Sequence, residues 1–492
     1  MSGRRQTGRA LLSRLSLVCL ILVAAGRLSG AVCLPVPLPD EEPRHPDWQV
    51  AVSVGSVGGS AAVAVGVAQA AGHHGGPYGH AAIDADGPIT VRIRHLRGLA
   101  QAQLRPLGSL TARPQADGSW EVTAPGPCHF VVLSEGKKAP LFISIRPPEV
   151  APLTRAGPAV VYFGPGIHRP GQITLTSGQT LYLAPGAVVH GGVVAEDAKE
   201  IRICGRGVLA GDSYAKGTGP IPIKLLRCSG IIIEGVTLRG SQAWTLLPSD
   251  CTDLTIERIA ILNGRFMNDD GINPCNSRRI VIRDSMIRSD DDCIAMKGIA
   301  WLLPEHRKPA QYRPEDRPAT EDITIERMVF WSDRARVILI GHESDTRRFA
   351  DIRIRDCQVA MMGTLPFLLA QPVSGTPLSG LTVERISIDG MVRSGVIEIE
   401  PLLATHWNEV SYPKGSVPSR FGSITGVTIR DLRLPACGQV LCIRGGDEAS
   451  PVRGVALGGI AVAGRDVTSD AKAVQVGPYV VECTRNDPAA VR

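Results

Sequence analysis

Aromatic side chains are scarce in this chain, only 4% of its 492 residues. No two cysteines stand at the CxxC spacing of a structural metal site, which removes the zinc-ribbon and zinc-finger classes. The apolar run Leu15 to Ala25 is too short to cross a bilayer comfortably. A concentrated basic stripe is missing as well. Of the formal charge of +6, five units are arginines within residues 1–31, which contain no acid, so the remainder sits near +1. That balance argues against a nucleic-acid surface.

Glycine and proline are plentiful, 54 and 37 residues, a mix that suits short strands joined by turns. Arg4, Arg5, Arg9 and Arg14 precede the apolar run, and Ser29 and Ala31 offer small residues for cleavage. This order predicts a signal peptide over 1–31 rather than a core helix, and a secreted or periplasmic protein with no membrane contact once the signal is gone. The twelve cysteines are dispersed, and Cys204, Cys228, Cys251 and Cys275 recur at an almost constant interval. Such a period marks stacked core positions, while Cys437 with Cys442 is a candidate disulfide in an exported protein.

A strand pattern recurs through the second half: an apolar-x-apolar step, a small or charged pair, then another apolar step. It runs through Ile201-Arg202-Ile203, Leu254-Thr255-Ile256-Glu257-Arg258, Ile280-Val281-Ile282-Arg283-Asp284 and Ile323-Thr324-Ile325-Glu326-Arg327. It returns at Ile352-Arg353-Ile354-Arg355-Asp356, Leu381-Thr382-Val383-Glu384-Arg385 and Val427-Thr428-Ile429-Arg430-Asp431. The central apolar positions Ile233, Ile256 and Ile282 follow one another at similar intervals, and Ile325, Ile354 and Val383 at equal ones. Self-similarity at this period means stacked units sharing one core, and the inner period of two makes them strands with Thr, Arg and Glu facing solvent. A leucine-rich horseshoe lacks its Leu and Asn frame here, and a propeller needs longer blades. The expectation is an all-β chain: a parallel β-helix over 149–470, with longer loops at 299–320 and 402–422. Before it, alternating runs such as Ile89-Thr90-Val91-Arg92-Ile93, separated by turn residues, predict a small β-sandwich over 45–148. Residues 471–492 are expected to form a C-terminal tail, and His73-His74 a loop.

Two acidic clusters stand out, Asn268-Asp269-Asp270-Gly271 and Asp290-Asp291-Asp292-Cys293. Asp291 and Asp292 follow Asp270 at close to one coil of the repeat, and coils stack about 4.8 Å apart, so the clusters should share a face. Like charges raise one another's pKa, a cost folded proteins accept mainly at functional sites. Glycosidic hydrolysis needs such a set: an acid at the leaving oxygen and a carboxylate to activate water. A calcium site and a solvated turn are the alternatives at this stage.

The sequence resembles the polygalacturonase family of glycoside hydrolases, family 28, which are right-handed β-helices. Asn268-Asp269-Asp270-Gly271 is similar to that family's Asn-Thr-Asp-Gly motif, with Asp269 for threonine. Asp291-Asp292-Cys293 matches its Asp-Asp-Cys motif, and Gly341-His342-Glu343 resembles Gly-His-Gly. Ser241 to Leu246, and Gly164 to His168 followed by Leu181 to Val188, look like further family coils. The resemblance implies an inverting hydrolase without a metal or cofactor, acting on a polysaccharide or oligosaccharide. In it Asp291 is the acid, Asp270 and Asp292 activate water, and His342 sits beside the acid. Asn268, Lys297 and Glu343 become candidate substrate-binding residues.

One departure bears on substrate. The family's Arg-Ile-Lys motif, which binds the uronate carboxylate, should fall near Pro366-Phe367-Leu368-Leu369-Ala370-Gln371, where no basic residue stands. A neutral or differently branched glycan is then the better expectation, with Lys297, Arg336 and Arg347 as candidate replacements. Dextranase and isopullulanase relatives in the same clan also place a β-sandwich before the helix. Two rivals remain: a polysaccharide lyase on the same fold, which the Asp-Asp-Cys motif disfavours, and a non-catalytic glycan-binding β-helix, which would not need the aspartates. Trp301, Trp407 and Tyr412, in the long loops, are candidates for stacking on sugars.

Overall fold

The computed structural model describes residues 32–54, 59–134, 139–299, 317–390, 395–403 and 420–486. The expected signal peptide over 1–31 lies outside the described residues, as do most of both long loops with Trp301, Trp407 and Tyr412. Among the described residues no helix is long and apolar enough to cross a membrane.

The N-terminal part is a sandwich of two sheets. One runs in the order Cys33–Pro35, Tyr78–Ala85, Leu141–Arg146, Cys128–Leu133, Gln103–Arg105, with Gly66–Ala68 also on Tyr78–Ala85; the other runs Ala61–Val63, Trp48–Ser53, Ile89–His95, Trp120–Ala124, Ala112–Pro114. It begins at Cys33, earlier than position 45, because Cys33–Pro35 pairs antiparallel with Ile83 to Ala85. The second sheet alternates as its sequence does: Ile89, Val91 and Ile93 are buried while Arg92 is exposed. The first sheet does not alternate. Cys128–Leu133 and Leu141–Arg146 are buried almost throughout, because its outer face meets the second domain. There Ala68, Tyr78, Val131, Leu133 and Phe142 pack on Ala260, Leu262, Met286, Val329, Trp331 and Met361. A strand covered on both faces loses its polar alternation.

The second domain is a right-handed parallel β-helix. Its strands begin at Val160–Phe163 and pair in parallel, coil on coil. The apolar positions of the repeat are register partners: Ile203, Ile233, Ile256, Ile282, Ile325, Ile354, Val383 and Ile429 stand one above the next. They form one continuous buried column in the core. The charged pair that closes each repeat has its own logic. Glu257, Arg283, Glu326, Arg355, Glu384 and Arg430 are successive partners of alternating sign, with Arg283 to Glu257 and Arg355 to Glu326 both at 2.6 Å. Opposite charges directly across a sheet attract, where like charges would repel. The following residues, Arg258, Asp284, Arg327, Asp356 and Arg385, all adopt left-handed backbone, which costs a non-glycine residue about 1 kcal/mol. Coil-to-coil pairs such as Arg327 to Asp284 and Arg385 to Asp356, each 2.6 Å, offset part of it.

Two expectations need correction. Residues 471–492 are not a plain tail: Val474–Val476 and Val480–Asn486 add further rungs, with Cys483 over Val455. Cys437 and Cys442 are free, as are the other described cysteines. Cys437 packs toward the core, whereas Cys442 lies between buried Leu441 and Ile443, so strand alternation turns its sulfur outward.

Candidate active site

The acidic clusters fall on adjacent coils, as their spacing requires. Ile272 pairs with Ile294 and Cys275 with Lys297, an offset that puts Asp270 beneath Asp292. The amide of Gly271 donates to the Asp292 carbonyl at 2.9 Å. The motif glycines follow from this closeness. A Cβ on Gly271 would stand 2.4 Å from the Cys293 carbonyl oxygen, and one on Gly341, whose φ is +100°, 2.3 Å from that of Gln371. Only glycine lets the coils approach so near.

Asp270 and Asp292 are almost fully buried, 1% and 2% exposed, while Asp291, in the second cluster, stays partly open. Burial pushes the Asp270 carboxyl up, and the neighbouring charge of Lys297 partly offsets this while that of Asp291 adds to it. Burial raises Asp292 too, reinforced by Asp270 and opposed by Arg336. Oδ2 of Asp270 accepts from Asn273 Nδ2 at 2.7 Å and from Lys297 Nζ at 3.3 Å. Oδ1 of Asp292 accepts from the Arg336 amide at 3.0 Å. The two therefore form a like-charge pair flanked by one cation each.

Asp291 is held separately: Oδ2 accepts from the Asn268 amide at 3.0 Å and from Arg334 Nη2 at 3.3 Å. Asn268 itself is exposed in a left-handed conformation and reaches this carboxylate through its backbone. Asp269, where the family has threonine, is fully buried and braces the turn. Its Oδ1 accepts the amides of Asp290 and Asp291 at 2.8 and 3.2 Å, and its Oδ2 that of Gly264 at 2.6 Å. Burial holds its carboxyl well above the usual range.

Lys297 is buried, stacks 4.4 Å from the centre of the Trp244 ring and lies 3.5 Å from Glu343 Oε1. Burial alone would lower its pKa, but Asp270, Glu343 and Asp292 together raise it. Lys297→Met leaves buried carboxylates without their cation, and is expected to cost about 3 kcal/mol at neutral pH. The loss should shrink as the pH falls and Asp270 takes up a proton; urea unfolding at two pH values measures it. His342 Nε2 is 2.7 Å from Gln371 Oε1, and burial followed by the Arg336 charge lowers its pKa, so the ring is neutral at neutral pH.

The structure thus gathers Asp270, Asp291, Asp292, Lys297 and Glu343 by direct contact or shared charge, with His342 linked through Arg336. Sequence reasoning passed over Arg334 and Gln371 as functional residues. It also placed His73 and His74 in a loop. They form a short 3-10 turn, Gly72–His74, and His74 meets Asp290, the first residue of the second acidic cluster. Contact between a sandwich turn and a coil far along the chain leaves no local signal.

Against known proteins, residues 205–300 match the profile of glycosyl hydrolases family 28, a segment containing Asp270, Asp291, Asp292 and Lys297. A probable polygalacturonase of Vitis vinifera is 32% identical over 148 residues, which are 29% of this chain and 27% of that protein; the match therefore spans about a quarter of the relative's length. Among solved structures, Dex49A from Penicillium minioluteum superposes with a TM-score of 0.59 at 15% identity, covering 88% of this chain and 92% of Dex49A. The family 28 exopolygalacturonase of Yersinia enterocolitica gives 0.50 at 13% identity, covering 93% and 95%. These structural likenesses establish the fold. Across the coils that carry its acidic clusters, the chain is similar to family 28 glycosyl hydrolases.

Proposed function

We propose that the chain is an exported glycoside hydrolase that cleaves an O-glycosidic bond of a polysaccharide or oligosaccharide with inversion. The observation that carries this reading is the contrast among three neighbouring aspartates, two almost fully buried and one partly open. Asp270 and Asp292 are a buried pair with raised pKa values, and a carboxylate whose conjugate acid is raised is a stronger base toward water. Lys297 and Arg336 supply the positive charge that lets the pair ionise. Asp291 faces the open side and protonates the leaving oxygen, so that the sugar departs as an alcohol while water attacks the opposite face. His342, kept neutral and oriented by Gln371, borders the site.

The favoured substrate is neutral at the cleavage point. Cations near the aspartates are engaged: Lys297 with Asp270 and Glu343, Arg334 with Asp290 and Asp291, Arg336 with Asp292. Gln371 stands in the region where polygalacturonases carry their basic motif. A uronate would need a cation of its own. The local match to a probable polygalacturonase supports galacturonan as the second reading. Incubating the purified chain with polygalacturonate and with neutral plant, fungal and bacterial glycans separates the two. Reducing ends from a neutral glycan are expected; release confined to polygalacturonate overturns the neutral assignment, and unsaturated products make the protein a lyase. N-terminal sequencing of the protein recovered outside the cytoplasm tests export, with a start near Val32 as the expected result.

A further inference from the structure

We infer that His74, carried by the sandwich domain, is a positioning residue for Asp291, acting through Asp290 and Arg334. The inference rests on the hydrolase reading above and goes beyond it, by making the N-terminal domain part of the catalytic apparatus.

The turn that carries His74 is fixed against the β-helix at several points. The Ala71 amide donates to the Gly264 carbonyl at 2.7 Å, Arg288 Nη2 donates to the His74 carbonyl at 3.2 Å, and the Tyr78 hydroxyl donates to the Asn263 carbonyl at 2.8 Å. Arg288 is itself fully buried, lies 4.0 Å over the Tyr78 ring and pairs with Asp333 at 2.9 Å. So anchored, His74 presents Nε2 to Asp290 Oδ1. The other oxygen of Asp290 receives Arg334 Nε at 3.2 Å, and the same guanidinium gives Nη2 to Asp291 Oδ2 at 3.3 Å. One arginine is therefore divided between the acid and its neighbour, and His74 satisfies the half of Asp290 that Arg334 does not. Burial alone would raise the Asp290 carboxyl, but His74 and Arg334 outweigh it and hold it low, so Asp290 is a standing negative charge beside the acid.

Without His74 that charge has one partner left. Arg334 is drawn toward Asp290 and away from Asp291, which loses both its orientation and its compensating cation. The titratable and charged groups around these residues are His73, Arg288 and Asp333 on the side of His74, and Asp269, Asp270, Asp292 and Lys297 on the side of Asp291. Among the described residues, Arg334 is the side chain that bridges the Asp290 and Asp291 carboxylates. His73, His74 and Asp290 also bring three metal-ligand atoms within 4.8 Å of one another. His74 and Arg334 already engage the two oxygens of Asp290, so the cluster acts as a hydrogen-bond relay from His74 to Arg334.

The test compares His74→Ala and His74→Gln with the wild type on a substrate that the wild type cleaves. His74→Ala should lower kcat roughly tenfold with KM within about twofold. The alkaline limb of its pH profile should move upward, because a carboxyl that has lost its neighbouring cation holds its proton longer. His74→Gln, which keeps a donor, should recover most of the loss. A melting temperature that falls while kcat and the pH profile stay put would overturn the inference. A second reading needs no substrate: the stability difference between Asp291 and Asp291→Asn proteins is followed against pH in the wild-type and His74→Ala backgrounds. Displaced curves support the relay and superimposable curves overturn it. Thermal stabilisation by zinc ions that disappears in His73→Ala would overturn it too, by making the cluster a metal site. A wild-type protein that releases no reducing ends from any glycan would sink the hydrolase reading instead, and an Asp291→Asn protein that cleaves as the wild type does would place the acid elsewhere, which keeps the failures apart.

Discussion

Asp291→Asn is expected to lower turnover on a natural glycan by roughly 10²- to 10⁴-fold, the usual worth of a positioned general acid, while leaving the protein folded. The fold survives because asparagine keeps an oxygen for the Asn268 amide and for Arg334, the two groups that hold Asp291 Oδ2. Asn cannot deliver a proton to the departing sugar. The loss should therefore depend on the leaving group. An aryl glycoside whose phenol departs as an anion needs little protonation, and on such a substrate the variant should recover most of the lost rate. Asp270→Asn should be deficient on both substrates, since attack by water is needed in either case. Parallel rates on a natural glycan and an activated aryl glycoside measure this split. Equal losses in Asp291→Asn on both would place the acid elsewhere.

Asp292→Asn should abolish turnover and yet make the protein more stable. The Asp292 carboxyl is raised in the folded chain by burial and by Asp270, with Arg336 opposing. A carboxyl raised on folding binds its proton more tightly in the native state than in the unfolded one. Its favourable contribution is complete below the unfolded value, about pH 4, and is lost as the pH climbs through the folded value. At neutral pH the wild type thus carries the cost of ionising a buried acid next to another. Asn is free of that cost and still accepts the Arg336 amide. The variant should gain on the order of 1–2 kcal/mol at pH 7, with the gain fading toward pH 4. Thermal melts of both proteins across that range test it; a variant that is less stable than the wild type at pH 7 would contradict the electrostatic account. Stability given up at the site in exchange for activity is a common pattern.

Much of the fold was legible because the repeat writes its own register. Ile256, Ile282, Ile325 and Ile354 recur in the sequence at coil length, and they are paired neighbours in the structure. The offset between Asp270 and Asp292 worked for the same reason, since a parallel coil converts sequence distance directly into stacking. Where the coil rule stops, so did the reading. The strands Val474–Val476 and Val480–Asn486 sit in a stretch that lacks a full apolar-x-apolar step followed by a charged pair. Cys437 and Cys442 looked paired by proximity, but strand alternation separates their sulfurs. His74 reaches Asp290 only because the first sandwich sheet buries its outer face on the helix, a tertiary contact with no periodic trace. Arg334 was silent for a related reason: it lies in the turn after Val329–Ser332, outside the strand pattern.

The substrate question turns on charge more than on shape. Lys297, Arg334 and Arg336, the cations that touch the aspartate cluster among the described residues, each already hold an acid of the protein, so a uronate would have to compete for them. That competition is the physical content of the missing basic motif near Gln371, and it is why a neutral glycan is favoured.

The most direct test of the central claim sets the wild-type chain beside its Asp291→Asn variant on one panel of polysaccharides and counts reducing ends released. The account predicts release by the wild type and almost none by the variant. Equal release by both, or release by neither across neutral and acidic glycans, would contradict it.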